Sequence, residues 1–276
     1  MKHKDLKIVY DADCPMCNWY TGQFVKHGFL EKEGREPYQN IGPYTKTQID
    51  MDRARNHIAL WNKETGKVTY GYESLVEILS QRWQWIKTVA TSKVVAPFIS
   101  MLYDFISYNR KVIAPSAPRG FLNCIPDRNI KMRVVFLVIC MFAVEYTAGM
   151  YFARYFSGVT RYADLPFRES ILFLSQLLFQ GVLAWFWNRN MVWDYLGNVA
   201  FISVLGGMMM VGFYLVLQFL PIDTNTLQIL VGAGLGAVVM FMFLEHNRRI
   251  KIGNFNKNLS YSWVIFRILL FFIIFR

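Results

Sequence analysis

Two of the four cysteines in this 276-residue chain, Cys14 and Cys17, stand three positions apart in Tyr10-Asp11-Ala12-Asp13-Cys14-Pro15-Met16-Cys17. They follow a short β-type run, Leu6 to Tyr10, and open a helix-compatible stretch from Asn18 to about Phe29. A C-x-x-C at a strand-to-helix junction is a place for thiol–disulfide chemistry. The helix N-terminus offers unpaired N–H groups and a positive dipole end, both of which favour a thiolate. Pro15 suits the first helical turn, where its missing N–H costs nothing. This pattern predicts Cys14 as the exposed attacking sulfur and Cys17, on the same helical face, as the resolving one. Asp11 or Asp13 is a candidate proton acceptor for Cys17; the competing role for both is capping and turn formation. Their negative charge also opposes a thiolate at Cys14. C-x-x-C equally forms half of a zinc site, and the set Cys14, Cys17, His27 and Cys124 is the one available for it. No second C-x-x-C and no C-x-x-H exists. The cofactor expected is therefore none beyond a redox-active disulfide, with zinc at Cys14/Cys17 as the alternative.

The elements that must position this pair follow in order. A polar stretch, 31–52, reads as irregular. His57 to Asn62 reads as a strand, Lys63-Glu64-Thr65-Gly66-Lys67 as a hairpin turn with Gly in the left-handed position, and Val68 to Gly71 as the return strand. Tyr72 to Trp83 places Leu75, Val76, Ile78 and Leu79 at helical spacing. A further helix covers about 94–109, before a Pro-rich link. Strand, C-x-x-C helix, two antiparallel strands and a helix make an α/β, thioredoxin-like arrangement. The expected organisation is a thioredoxin-like domain over 1–114, a linker over 115–131, and an all-α transmembrane bundle over 132–276.

Composition separates the halves. Residues 1–131 hold 19 Lys/Arg against 13 Asp/Glu, whereas 132–276 hold 11 against 6 within long apolar runs. The net charge of +11 does not indicate nucleic acid, because the basic residues cluster at the ends of those runs, where lipid and topology account for them. Five spans are expected at 132–155, 168–188, 191–219, 225–246 and 258–275, the last at the short limit for a core about 30 Å thick. No cleavable leader is visible in Met1-Lys2-His3-Lys4-Asp5. On one side lie Arg119, Arg128, Lys131, Arg133, Arg189, Arg248, Arg249, Lys251 and Lys257; on the other, Arg154, Arg161, Arg168 and Arg276. Nine against four predicts a multi-pass protein of the bacterial inner (cytoplasmic) membrane with its N-terminal domain in the cytoplasm. The 221–224 loop carries no basic residue, as suits the outer side. Glu145 and Arg267 lie about 20 and 14 Å deep at 1.5 Å per residue and form a candidate intramembrane pair. Gly232 and Gly236 form a G-x-x-x-G step suited to close helix contact. Cys140 reads as a small buried hydrophobe.

The soluble half resembles the DCC family of thiol–disulfide oxidoreductases, named for D-x-x-C-x-x-C. Asp11, Cys14 and Cys17 match that motif, with Pro15 a common choice between the cysteines. The likeness continues through Gly71-Tyr72-Glu73-Ser74 and through Tyr103 to Arg110, similar to the family's Y-x-x-I-A-x-N-R segment. Cys124 sits where many members carry a third cysteine, and Ala12 stands where Gly is usual. The resemblance covers about 5–125 and implies redox competence more firmly than any substrate. Arg110 reads as a structural ion-pair residue or as a holder of an anionic partner.

Two functions compete. The first is a membrane-anchored thiol–disulfide oxidoreductase that reduces or senses a membrane-associated client. The second is a non-enzymatic assembly or scaffold subunit that keeps a thioredoxin-like domain for contacts. Five spans exceed what an anchor requires, so the bundle has work of its own. A transmembrane electron carrier would show paired cysteines in the spans, and the sequence has none. The partners expected are the bilayer, a protein thiol/disulfide client or membrane-protein partner, and further copies of the chain.

Overall fold

The computed structural model describes residues 5–117, 122–221 and 223–275. Residues 1–4, Arg119, Ile222 and Arg276, which the readings of leader and orientation use, lie outside that set. The chain falls into two compact units, Met1–Met132 and Arg133–Arg276.

The first unit is built on β1 (Leu6–Tyr10), whose five residues are buried on both faces except Lys7. Leu6, Ile8 and Tyr10 point to one side, where they meet Phe29, Leu30, Leu60 and Ile78. Val9 points to the other, among Tyr38, Ile49, Ala59, Trp61 and Cys124. Strand alternation thus feeds two cores from one segment. Full burial of a side chain such as Ile8 is worth about 1.5–3 kcal/mol. After β1 come α1 (Pro15–Lys26), β2 (Arg35–Pro37), α2 (Pro43–Gln48), α3 (Met51–Asn56), β3 (Ala59–Asn62), β4 (Val68–Tyr70), α4 (Tyr72–Ser80), α5 (Gln84–Ala90) and α6 (Val95–Ile113). The sheet order is β2-β1-β3-β4. β2 runs parallel to β1, with Ile8 opposite Arg35, while β3 and β4 are antiparallel neighbours. This is the small mixed sheet of the thioredoxin-like arrangement.

The stretch 31–52, expected to be irregular, contains β2. Three residues with a proline carry no strand signal of their own. What makes them a strand is the open edge of β1 and the Lys7–Glu36 ion pair at 2.8 Å. Gly66 has the expected left-handed φ, +71°.

Gly71, between β4 and α4, has φ +67° and ψ −138°. A Cβ there would stand 3.3 Å from the Tyr103 ring and 3.5 Å from His57 Nδ1. That backbone region is almost exclusive to glycine, so Gly71→Ala is expected to destabilise the unit by about 1–3 kcal/mol, read from denaturant unfolding followed by near-UV circular dichroism.

The second unit contains α7 (Ile130–Tyr155), α8 (Arg168–Trp187), α9 (Val192–Gln218), α10 (Thr224–Ile252) and α11 (Asn258–Ile274). The first four are long and apolar enough to cross a membrane. α11, with 17 residues, rises roughly 26 Å, short of a 30 Å hydrocarbon core. In the first unit, α5 and α6 together are also apolar enough but are bent by 90° at their junction, which makes the number of candidate spans four or five. Inside the bundle, Tyr195 donates to Gln180 Oε1 at 2.7 Å and lies 3.2 Å from His246 Nε2. Such interhelical polar contacts satisfy groups that lipid cannot.

Candidate active site

β1 ends at Tyr10 and the chain turns through Asp11-Ala12-Asp13 into α1. Ala12 keeps an ordinary negative φ, so the turn does not need the glycine usual there. The buried Asp11 carboxylate organises the turn: Oδ1 accepts from Asp13 N at 3.1 Å and from Gln39 Nε2 at 2.7 Å. Its Oδ2 lies 3.0 Å from Lys111 Nζ and 3.4 Å from Arg110 Nε. Gln39 also donates to Asp13 Oδ2 at 3.2 Å and accepts from Ala12 N at 3.0 Å.

Cys14 occupies the N-cap of α1, and its Sγ accepts from Cys17 N at 3.4 Å. A sulfur thus takes the place usually held by a serine or aspartate oxygen. The Cys17 side chain adds a second hydrogen bond to the same sulfur, and this is the largest influence that brings Cys14 from an ordinary 9.0 to about 7. The backbone N–H of Cys17 and the Arg110 guanidinium pull the same way; burial and the Asp11 charge oppose them. Cys17 moves up for the complementary reason: it holds the proton that stabilises Cys14, and it is desolvated. The site therefore divides the pair into a near-neutral thiolate and a proton-bearing thiol, which is the asymmetry that disulfide exchange uses.

Exposure differs from the expectation. Cys14 is 0 % accessible, whereas Cys17 is partly exposed. The cap position turns Sγ inward over the first helical turn, so the same hydrogen bond that activates the sulfur hides it.

Arg110 is held by Asp11, Arg55, Asn56, Ser107 and Cys124. Its Nη2 donates to the carbonyls of Arg55 and Cys124, both at 2.8 Å, and its Nη1 to Ser107 Oγ at 3.1 Å. Ser107 in turn donates to the Asn56 carbonyl. Arg110 thus links α6 to the end of α3 and to Asp11. The segment from the sheet to Arg110 is continuous in sequence. Residues 8–114 match the family model of the DCC1-like thiol-disulfide oxidoreductases. No curated protein and no solved structure matches the chain.

The matched segment contains Asp11, Asp13, Cys14, Cys17 and Arg110 but neither Cys124 nor the bundle. Cys124 is buried beside Arg110, with Sγ 3.6 Å from Nη2. Burial pushes its thiol up to about 12, which leaves it unreactive. All four cysteines are free thiols. Among the described residues no three His, Cys, Asp or Glu side chains are grouped to hold a metal ion, so the set Cys14, Cys17, His27 and Cys124 is not brought together.

In the second unit the expected Glu145–Arg267 pair does not form. Glu145 Oε2 instead accepts from Ser170 N at 2.6 Å, at the positive end of α8, which satisfies the carboxylate without a cation. Arg267 stacks over the Trp263 ring at 5.0 Å. The G-x-x-x-G step also makes no close contact: a Cβ at Gly232 or Gly236 would meet nothing within 4 Å. The tight approaches fall instead at Gly206, against Met242, and at Gly207, against Thr147.

The residues that sequence reasoning missed are Gln39 and Lys111. Gln39 lies in a stretch without periodicity, 28 positions from Asp11, and no spacing rule connects them. Lys111 follows Arg110 directly, and no spacing connects it to Asp11 either.

Proposed function

We propose that the chain is a membrane-anchored thiol–disulfide oxidoreductase that reduces, or senses the oxidation of, a membrane-associated client. The observation that carries this is the hydrogen bonding of Cys17 to Cys14 Sγ at the N-cap of α1. The redox domain is residues 1–114, joined by 115–131 to a membrane domain over 132–276. The Cys14 thiolate attacks one sulfur of a client disulfide and forms a mixed disulfide, and the client's other sulfur leaves as a thiolate. Cys17 then loses its proton and attacks Cys14 Sγ; the second client sulfur departs, and Cys14–Cys17 is left oxidised. Two electrons pass to the client, and the thiol protons of the pair reach its sulfurs through solvent. Because Cys14 is covered, client docking must open the β1–α1 turn before attack. Asp11, with its oxygens engaged by Lys111, Arg110 and Gln39, positions the turn; Asp13 is the candidate acceptor for the Cys17 proton.

The excess of Lys and Arg on one side of the spans supports a cytoplasmic redox domain in a bacterial inner membrane. There the pair rests reduced against the thiol pool, which favours donation over disulfide installation. The deciding experiment is a redox titration of the purified full chain with acid quenching, alkylation and mass spectrometry of each cysteine. The expected result is one reversible two-electron couple confined to Cys14 and Cys17, with a slope of about 30 mV per decade. Inert thiols over the whole range would sink the redox reading and leave the scaffold role.

A further inference from the structure

The second unit contains a half-open cavity of about 670 Å³, lined by α7, α8, α9, α10 and α11. Its wall is mostly apolar, with Met210, Met242 and Phe243 along α9 and α10, and Glu169, Gln176 and Arg267 as its charged and amide groups. A cavity of this size with few polar groups is the usual form of a small-molecule site.

The polar groups are paired unevenly: Glu169 attracts Arg267 through space but makes its direct contact with Arg168. Glu169 takes Arg168 in a two-point contact, at 2.8 and 2.5 Å. Glu145 is engaged by the N-terminus of α8. Among the described residues Arg267 has no carboxylate within 4.0 Å, and its buried Nε has no acceptor. Gln176 Nε2 and Trp263 Nε1 are likewise buried without an acceptor, in side chains only 3 % and 1 % exposed. The three donors thus belong to side chains that line one apolar cavity. A cation inside a membrane bundle is costly unless it meets a counter-charge, and a guanidinium fork matches the two oxygens of a carboxylate or phosphate.

The glycines agree. Gly232 and Gly236 both line the cavity, and a Cβ at either would meet nothing within 4 Å. Their missing side chains leave the α10 wall open where a packing motif would have closed it.

We propose that this cavity binds an amphiphile whose anionic head, a carboxylate or a phosphate, is held by Arg267 and whose apolar tail lies along α9 and α10. The head group supplies the direct acceptor that the Arg267 guanidinium lacks, and the tail fills the space that Gly232 and Gly236 keep clear. The inference does not depend on the redox chemistry of the first unit.

The test uses the delipidated full chain in neutral detergent and the quenching of tryptophan fluorescence, since Trp263 lies on the cavity wall. The probes are stearic acid brominated at mid-chain, its methyl ester, and a phosphatidic acid with the same brominated chain. The acid or the phosphatidic acid is expected to quench saturably and at least about tenfold more tightly than the ester, a difference of about 1.4 kcal/mol. The tighter of the two identifies the head as carboxylate or phosphate. Trp263→Phe removes most of the quenching. Arg267→Gln brings acid and ester to equal affinity. Gly236→Leu, which has room for its side chain and improves helix propensity, abolishes saturable quenching by all three. Should Arg267→Gln not fold, Gly236→Leu together with the acid–ester difference in the native chain decides. Equal binding of acid and ester by the native chain, or quenching unchanged by Gly236→Leu, overturns the proposal.

Discussion

Replacing Cys17 with Ala is expected to stop turnover at the mixed disulfide and to move the ionisation midpoint of Cys14 upward from about 7. The first effect follows from the loss of the resolving sulfur: the client stays bonded to Cys14 and accumulates as a covalent complex, visible on a non-reducing gel. The second follows from the loss of the thiol hydrogen bond, the largest influence on Cys14, while the Cys17 backbone N–H and the Arg110 charge remain. The midpoint therefore rises toward 9.0. At pH 7 the native thiol is about half ionised; a rise of one to two units lowers that fraction by roughly five- to fiftyfold. The thiolate that remains is intrinsically more nucleophilic, with a Brønsted slope of about 0.4–0.5, so the net loss of alkylation rate at pH 7 is about two- to eightfold. The sign reverses in alkaline solution, where both proteins are ionised and the variant is the faster. A pH profile of iodoacetamide alkylation at Cys14 reads both limbs. An unshifted midpoint would show that Cys17 does not activate Cys14.

The elements around this site were legible to different degrees, for identifiable reasons. β1 shows itself because Leu6, Ile8 and Val9 form an apolar run ended by Asp11, and α1 because Pro15 follows an N-cap residue. The hairpin β3–β4 shows itself through Gly66. β2 does not, because its strand character comes from pairing with β1 rather than from its own three residues. The role of Asp11 was open between proton acceptor and turn former; the structure surrounds it with Gln39, Lys111 and Arg110, all of them 28 or more residues away in the chain. Long-range convergence of this kind has no period to detect. The burial of Cys14 was hidden for another reason. A helix N-terminus predicts an anionic sulfur but not the side chains that cover it. In the bundle, Glu145 and Arg267 were at compatible depths, yet depth along an axis does not determine azimuth, and Glu145 found a backbone donor on α8 instead.

Arg110 and Asp11 give the second large expectation, since their substitutions agree in one observable and disagree in another. Arg110→Met removes the guanidinium that contacts Asp11 and donates to the carbonyls of Arg55 and Cys124. Both side chains of the pair are less than 10 % exposed, and breaking one partner of a buried pair costs about 3–5 kcal/mol. Asp11→Asn keeps an oxygen for Asp13 N and Gln39 but leaves Arg110 and Lys111 unopposed. Lys111 is one-fifth exposed and relaxes toward solvent, so the loss falls at or below the lower end of that range. Both variants therefore unfold at lower denaturant. Their effects on Cys14 have opposite signs. Arg110 holds the thiol down and Asp11 holds it up, so Arg110→Met moves the alkylation midpoint above about 7 and Asp11→Asn moves it below. In the native protein the thiolate is gained as pH rises through about 7. At a fixed slightly acidic pH, Asp11→Asn is thus the more reactive and the less stable protein at once. A purely architectural role for the two residues would lower stability in both variants and leave the alkylation profile where it was; a split in the midpoints shows that the ion pair which holds α6 against the β1–α1 turn also sets the charge at the reactive sulfur.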